Sequence, residues 1–312
     1  MTTHAGKRDY VNENDWPAPE IEAILDLASR VKEEPAKWGT VLAGRSLAMI
    51  FEKSSTRTRV SFEAGMFQLG GLAMFLSSRD LQLGRGEPIS DTARVLSRYV
   101  DGIMARTFAH ATVEGLAEGA SVPVINGLSD LLHPCQALAD FLTVRERFGT
   151  ARGFPLAYLG DGNNVAHSLL LTGAKLGACV AIVTPPGYEP ASQVVSWARA
   201  AARETGGSVL VTNSIEEGTA GARAVYTDVW ASMGQEAEAA ERAGKFEPYR
   251  VTRRVMAMAA PDAIFLHCLP AHRGEEVEAD VIDSPASAVF DQAENRLHAQ
   301  KALLVTLLGG AG

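Results

Sequence analysis

From about residue 45 onward, short β-rich runs alternate with longer helical patterns, and this alternation limits the fold more than any other feature of the chain. A strand followed by a covering helix returns to the same edge before the next strand begins. The strands therefore pair in parallel, and helices cover the sheet. The candidate strands are RSLAMIF (45–51), LAMFLS (72–77), GIMAR (102–106) and VPVING (122–127). Helical patterns lie at 56–69, 90–100 and 111–119, the second with Asp91 as its expected cap. A longer helix at 134–148 leads into the Gly/Thr/Arg-rich turn FGTARGF. Strands then resume as PLAYLG (155–160), CVAIVT (179–184), SVLVTN (208–213), AVYTDV (224–229) and AIFLHC (263–268), with helices at 164–176, 190–205 and 250–260.

The reading is an α/β chain of two units, each a mostly parallel sheet with helices on both faces, joined near 134–154. Residues 1–148 form the first domain and 149–290 the second. A last helix, VFDQAENRLHAQKALLVTLL, starts at the end of the second unit, and the segment 291–312 returns to the first. At 312 residues, each unit is long enough to bury a core of its own.

In open parallel sheets, ligands sit beyond the carboxyl ends of the strands. The chemically loaded residues collect there: 52–59, Arg106 and SDLLHPCQ in the first unit, GDGNN, DVWASMG and HCLPAHRG in the second. The stretch FEKSSTRTRV is a strand end running into a helix start. Ser55 is a good N-cap, and Thr56, Arg57 and Thr58 fall in the first turn, where free amides and the positive end of the helix dipole attract an anion. A merely capped helix would favour Asp or Glu there, and two arginines in that turn oppose the dipole unless an anion joins them. The formal net charge of −8 disfavours nucleic acid or an acidic membrane as the main partner, so a phosphate site must be a local concentration of cations.

In HPCQ, Pro134 suits the first helical position and holds His133 extended, so His133 and Gln136 can address one ligand. A lone histidine is more often structural, and that reading stands beside the functional one. YLGDGNNVAHS only partly matches a dinucleotide fingerprint: Gly160 and Gly162 fit, the last glycine is replaced by Val165, and Thr184-Pro185-Pro186 stands where a ribose-binding acid is expected. Asn163 and Asn164 remain as amides at a helix start. Asp228 ends a strand and suits a cationic or amine substrate, or else caps a helix. His267, Cys268 and His272 suggest a metal, but no wider ligand cluster supports a closed site.

Three cysteines without C-x-x-C spacing fit a reducing compartment. The polar first twenty residues and the lack of an apolar stretch of membrane-spanning length point to a cytoplasmic protein.

KSSTRTR, HPCQ, DVWASMG and HCLP, in this order, closely resemble the ornithine branch of the aspartate/ornithine carbamoyltransferases, and the similarity runs over nearly the whole chain. The resemblance implies two α/β domains bridged by helices, the first binding carbamoyl phosphate and the second ornithine. It implies homotrimers or multiples of trimers, no cofactor, no metal, and a cis Leu269-Pro270 bond. Carbamoyl phosphate would bind Ser55, Thr56, Arg57, Thr58, Gln82, Arg106, His133, Gln136, Cys268, Leu269 and Arg296. Ornithine would bind Asn164, Asp228, Ser232 and Met233. The catalytic set would be Arg57, Arg106, His133, Asp228 and Cys268. The δ-amine of L-ornithine would attack the carbamoyl carbon, giving L-citrulline and phosphate. Arg106, His133 and Thr58 would stabilise the oxyanion, and Asp228 and Cys268 would orient the amine. Carbamoyl transfer to putrescine or an acylated ornithine, and a dinucleotide-dependent oxidoreductase, are the alternatives.

Overall fold

The structure, a computed structural model, describes residues 7–81, 86–231 and 238–309. The chain divides into two compact units, one of Met1–Leu138 with Arg296–Gly312 and one of Ala139–Asn295. In chain order the first stretch runs α1 (Ala18–Glu33), β1 (Ser46–Phe51), α2 (Thr56–Gln68), β2 (Leu72–Ser77), α3 (Ile89–Leu96), β3 (Gly102–Arg106), α4 (His110–Gly119), β4 (Val124–Leu128) and α5 (Pro134–Phe148). There follow β5 (Pro155–Leu159), α6 (Asn164–Lys175), β6 (Cys179–Val183), α7 (Ser192–Thr205), β7 (Ser208–Thr212), α8 (Ile215–Thr219), β8 (Ala224–Thr227), α9 (Ala239–Phe246), α10 (Arg253–Met258), β9 (Ile264–His267), α11 (Ala279–Ile282) and α12 (Val289–Leu308). The division between units falls inside α5 and inside α12.

Each expected strand forms, and all pair in parallel. The first sheet has the order β2-β1-β3-β4 and the second β7-β6-β5-β8-β9. In both, the strand order reverses beside the first strand of the unit, between β1 and β3 and between β5 and β8. Loops leaving those neighbours diverge and open a crevice at the strand ends. In the first unit Ala48, Ile50, Ile103, Ala105 and Val124 share a core with Val113 and Leu116 of α4. In the second, Ala157, Leu159, Val183, Val225 and Phe265 pack with Val251, Val255 and Val277. The outer edge of β4 is covered by the N-terminal segment, where Tyr10 donates to the Val124 carbonyl and accepts from Asn126, each at 2.8 Å. The opposite edge, β2, stays largely open to solvent.

Several helical details differ from expectation, among them the short helices α8, α9 and α11, which the strand-helix alternation did not include. Asp91 does not cap α3: the helix begins two residues earlier, after Pro88, which has no side-chain acceptor, so Asp91 falls inside the first turn. Its carboxylate there still suits the helix dipole. The alternation read from residue 45 also leaves out α1, although Ile21, Ile24, Leu25, Ala28 and Val31 recur at helical spacing and are all buried.

Gly65 and Gln68 of α2 meet α12, where the buried Lys301 ammonium donates to Gln68 Oε1 at 3.0 Å. A Cβ at Gly65 would stand 3.3 Å from Lys301 Cγ, so glycine lets this helix come close. Gly162 serves a similar need in the second unit. A Cβ there would lie 2.3 Å from the Pro190 nitrogen and 2.6 Å from the Tyr188 carbonyl oxygen, so the turn after β5 is packed directly against backbone and has no room for a side chain. Gly162→Ala should therefore destabilise the protein by about 1–3 kcal/mol, the usual cost of overpacking. Urea unfolding checks this, and an unchanged midpoint would show that the 188–190 turn moves freely.

Candidate active site

In the first unit the site starts at the end of β1. The Glu52 amide donates to the Arg106 carbonyl and the Glu52 carboxylate accepts from the Phe108 amide, both at 2.8 Å, which ties the loops after β1 and β3 together. Ser55 is the N-cap of α2: its hydroxyl accepts from the Thr58 amide at 3.2 Å, and no acidic residue occupies the first turn. Thr56, Arg57 and Thr58 stand in that turn, as expected. Arg59 does not join them. Its Nε bonds Glu63 at 3.0 Å and its guanidinium lies 3.9 Å from the Phe75 ring centre, a structural use of the second arginine.

Thr58 is the meeting point. Its hydroxyl accepts from Arg296 Nη2 at 3.1 Å and lies 3.4 Å from Arg106 Nη1, while Arg296 Nη1 donates to Gln136 Oε1 at 2.5 Å. Arg106, Arg296, Gln136 and His133 are all buried. These acceptors are neutral oxygens, which orient a guanidinium without cancelling its charge. Burial, then the positive charges of Arg296, Arg106 and Arg57, hold the His133 imidazolium well below the ordinary histidine range, so the ring is neutral. Pro134 opens α5, and the His133 carbonyl accepts from the Gln136 amide at 3.0 Å. Cys135 is no nucleophile: burial pushes its thiol up to about 12, and Sγ donates to the Asn126 carbonyl at 3.5 Å.

In the second unit, Asp228 follows β8 and is 5% exposed. Its Oδ2 accepts from Asn163 Nδ2 at 2.9 Å and its Oδ1 from the Cys268 thiol at 3.2 Å. Asn163 is the N-cap of α6, with Oδ1 accepting from the Val165 and Ala166 amides at 2.9 and 3.2 Å and from the Tyr158 hydroxyl at 3.4 Å. Those donors fix the amide so that its NH2 must face Asp228. The bond crosses the point where strand order reverses, from the end of β5 to the end of β8. Beside it, Asp161 pairs with Arg242 at 2.8 Å, and Arg242 also donates to the Trp230 carbonyl at 3.0 Å, which fastens the chain after Asp228. Burial pushes the Asp161 carboxyl up, and the Arg242 charge only partly offsets this.

Cys268 and Leu269 follow β9. The Leu269-Pro270 bond is cis, and Leu269 has φ of 58°, the left-handed region. The atoms of Asp228, His267 and Cys268 that could ligate a metal lie within 4.8 Å of one another. Both His267 ring nitrogens are already engaged, however: Nδ1 accepts from the Leu269 amide at 2.8 Å and Nε2 faces Glu276 at 3.2 Å. The imidazole thus has no lone pair to offer an ion in this arrangement.

Among the expected residues, the first unit brings together Thr58, Arg106, His133, Gln136 and Arg296, with Ser55, Thr56 and Arg57 at the start of α2. The second brings together Asp228 and Cys268, with Leu269 next in sequence. Asn164 stands at the first helical position of α6, and its neighbour Asn163 makes the bond to Asp228. Gln82, Ser232 and Met233 lie outside the described residues. Asp161 and Glu276 are additions, while Asn163, noted only as an amide at a helix start, and His267, noted only as a possible metal ligand, take new parts. The signal for Asn163 was its cap position, since an N-cap amide is oriented by the helix it starts.

Residues 8–146 match the family described as aspartate/ornithine carbamoyltransferase, carbamoyl-P binding domain, and residues 152–307 match the Asp/Orn binding domain of the same family. The chain belongs to the aspartate/ornithine carbamoyltransferase family. An ornithine carbamoyltransferase of Thermococcus kodakarensis is 57% identical over 312 residues, covering 99% of each chain. An anabolic ornithine carbamoyltransferase of Pyrococcus furiosus is 56% identical over the same length, again 99% of each. The solved structure of an ornithine carbamoyltransferase from Pyrococcus furiosus superposes with a TM-score of 0.94 at 55% identity, covering all of both chains.

The buried, neutral His133 has a consequence for stability. The unfolded chain takes up a proton on this residue below about pH 6.5, whereas the folded chain resists it. Stability should therefore fall as pH drops below 6.5 toward the depressed folded value, by up to about 1.4 kcal/mol per pH unit from this group. His133→Gln removes the contribution, so its urea midpoint should fall less between pH 7 and pH 5 than that of the parent. Equal losses in both proteins would show that His133 titrates normally.

Proposed function

We propose that this chain transfers the carbamoyl group of carbamoyl phosphate to the δ-amine of L-ornithine, releasing L-citrulline and phosphate. One observation carries the reading: the first unit gathers arginines around a helix N-terminus, and the second gathers a carboxylate, a thiol and an amide at its own strand reversal. The first arrangement suits a phosphate ester or anhydride. The second suits a compact amine. The names borne by the relatives of more than 50% identity support the same pairing.

In this mechanism Arg57 and the first-turn amides of α2 hold the phosphate that must leave. Arg106, Thr58 and His133 address the carbamoyl oxygen, where negative charge develops as the amine adds. His133 does so as a neutral N–H donor, because burial and then the surrounding arginines keep the ring from taking up a second proton. Gln136 orients Arg296 within the same cluster. In the second unit Asp228 accepts from the α-ammonium and from an N–H of the neutral δ-amine, whose lone pair attacks and whose proton leaves with the phosphate, and Cys268 and Asn164 assist in placing the amino acid. Ser232 and Met233, in the DVWASMG motif, select free ornithine over putrescine or an acylated ornithine. The step needs no nucleophile from the protein, so orientation and fixed charge supply the acceleration. The dinucleotide alternative loses its main support in Gly162, whose bare Cα faces the 188–190 backbone and is therefore needed for packing.

A homotrimer, or a multiple of trimers, fits the surface of the first unit. Val60 and Phe67 of α2 and Leu72 and Phe75 of the edge strand β2 are exposed, Phe67 to 81%. Apolar side chains concentrated along an open sheet edge are what a partner subunit covers. No helix among the described residues is long and apolar enough to cross a membrane, and a cytoplasmic location fits the reading.

Phosphate release and ureido-product formation from carbamoyl phosphate, measured with ornithine, putrescine and N-acetylornithine, test the function. Ornithine alone should turn over, and turnover of another amine alone would reassign the substrate. Two variants then separate the units. Arg57→Lys keeps the charge but loses the planar fork, and should weaken carbamoyl phosphate by about 1.5–3 kcal/mol in a calorimetric titration. Asp228→Asn should leave carbamoyl phosphate binding intact and lower ornithine affinity by about 10- to 100-fold. Loss of carbamoyl phosphate binding in a folded Asp228→Asn protein would refute this division of labour. For the oligomer, light scattering should report three or more copies of the 33.2 kDa chain, and a monomer at working concentration would refute it.

A further inference from the structure

The second unit holds a buried polar pair for which neither substrate has an obvious use. His267 ends β9 and Glu276 lies nine residues on, and the side chains of both are fully buried. Burying an imidazole and a carboxylate together is a poor way to stabilise a core, since apolar residues of similar volume do as well or better. What the pair does well is fix direction. A backbone N–H can only donate, so the 2.8 Å approach of the Leu269 amide to His267 Nδ1 makes Nδ1 the acceptor and puts the ring proton on Nε2. That proton points at Glu276 Oε1, 3.2 Å away. The same oxygen accepts from the His272 amide at 2.6 Å, and the Glu276 carbonyl accepts from the Val251 amide at 2.9 Å. The His267 amide is anchored as well, to Gln292 Oε1 at 2.9 Å.

The receiving end is the strained one. Leu269 adopts a left-handed conformation that a leucine avoids, which persists only when its surroundings over-determine it. Its neighbour Cys268 directs Sγ to Asp228 Oδ1 at 3.2 Å. We propose that Glu276 and His267 are positioning residues for carbamoyl transfer. Glu276 selects the Nε2–H tautomer, the freed Nδ1 lone pair holds the Leu269 amide, and the backbone so held aims the Cys268 thiol at Asp228. Neither side chain touches a substrate. The carboxylate is suited to its part: burial would raise it, but the bonds from His267 and the His272 amide outweigh that and keep it below the ordinary range. This inference rests on the function proposed for Asp228 and Cys268, and its first readout does not depend on activity.

Nitrogen-15 spectra of histidine-labelled protein report which ring nitrogen carries the proton, with the His267 signal assigned by its loss in His267→Asn. The parent should show an Nε2–H ring at neutral pH, and a proton on Nδ1 would overturn the proposal without any variant. Glu276→Gln should mix the tautomers, speed hydrogen exchange at the Leu269 amide, and raise the ornithine KM about tenfold, equivalent to ~1.4 kcal/mol. His267→Asn places an amide oxygen near the former Nδ1, so it should keep the Leu269 amide protected and lie closer to the parent than Glu276→Gln does. A Glu276→Gln protein with parental exchange at Leu269 and parental ornithine KM would sink the idea. If the parent forms no citrulline, the functional reading fails instead, while the tautomer and exchange results still stand or fall by themselves.

Discussion

Parallel pairing governs everything chemical in this chain. When every strand of a sheet runs the same way, all the strand carboxyl ends reach one edge, and the helices that follow begin there with their amides free. The strand order 2-1-3-4 in one sheet and 7-6-5-8-9 in the other then splits the loops apart beside β1 and beside β5. Ser55, Arg106 and His133 come from three strand ends of the first unit, and Asn163, Asp228 and Cys268 from three of the second. Neither group is close in sequence. Each is assembled because its residues occupy the same place in successive β-to-helix connections.

The two clusters solve opposite electrostatic problems with the same kind of support. In the first, buried arginines are kept charged, and Thr58 and Gln136 give them direction through neutral oxygens. Burial first, and then the charge of these arginines, keep His133 neutral. In the second, a buried carboxylate is held by an amide and a thiol, neither of which carries a formal positive charge. Both units set charged groups in partly desolvated surroundings, where a ligand of the opposite sign gains more than it would in water.

The fold was legible because its signal is periodic and repeated. Every strand could be read from a short apolar run, and the Ser55 cap from a hydroxyl placed before a helical pattern. What escaped was local or conditional. Helix α1 precedes the alternation, so a reading that began with the alternation passed over an apolar stripe at helical spacing. The Asp91 side chain suits a cap, but Pro88 sets φ for helix entry and starts the turn earlier. Of two adjacent asparagines, the sequence does not show which one faces Asp228, because that depends on where the first helical turn begins. Arg57 and Arg59 look alike in the sequence, yet residues two apart do not face the same way on a helix, and Arg59 has Glu63 a turn away to bond.

Glu276 shows why the outermost layer of such a site is hard to read. In GEEV it is one of two adjacent acids, and an acid pair on a loop is most simply a solvated one. Its burial follows from the Val251 amide drawing the 276 carbonyl inward and the His272 amide arriving on the carboxylate. Neither bond has a sequence signature. The same holds for His267, whose place beside Cys268 invites a metal-ligand reading until the Leu269 amide is seen on Nδ1. The groups that meet a ligand must carry particular chemistry and so leave a pattern of residue types. The groups that aim them need only one bond in the right direction, and many residue types could supply it. Sequence therefore reveals the reacting layer of this site far better than the layer that holds it in place.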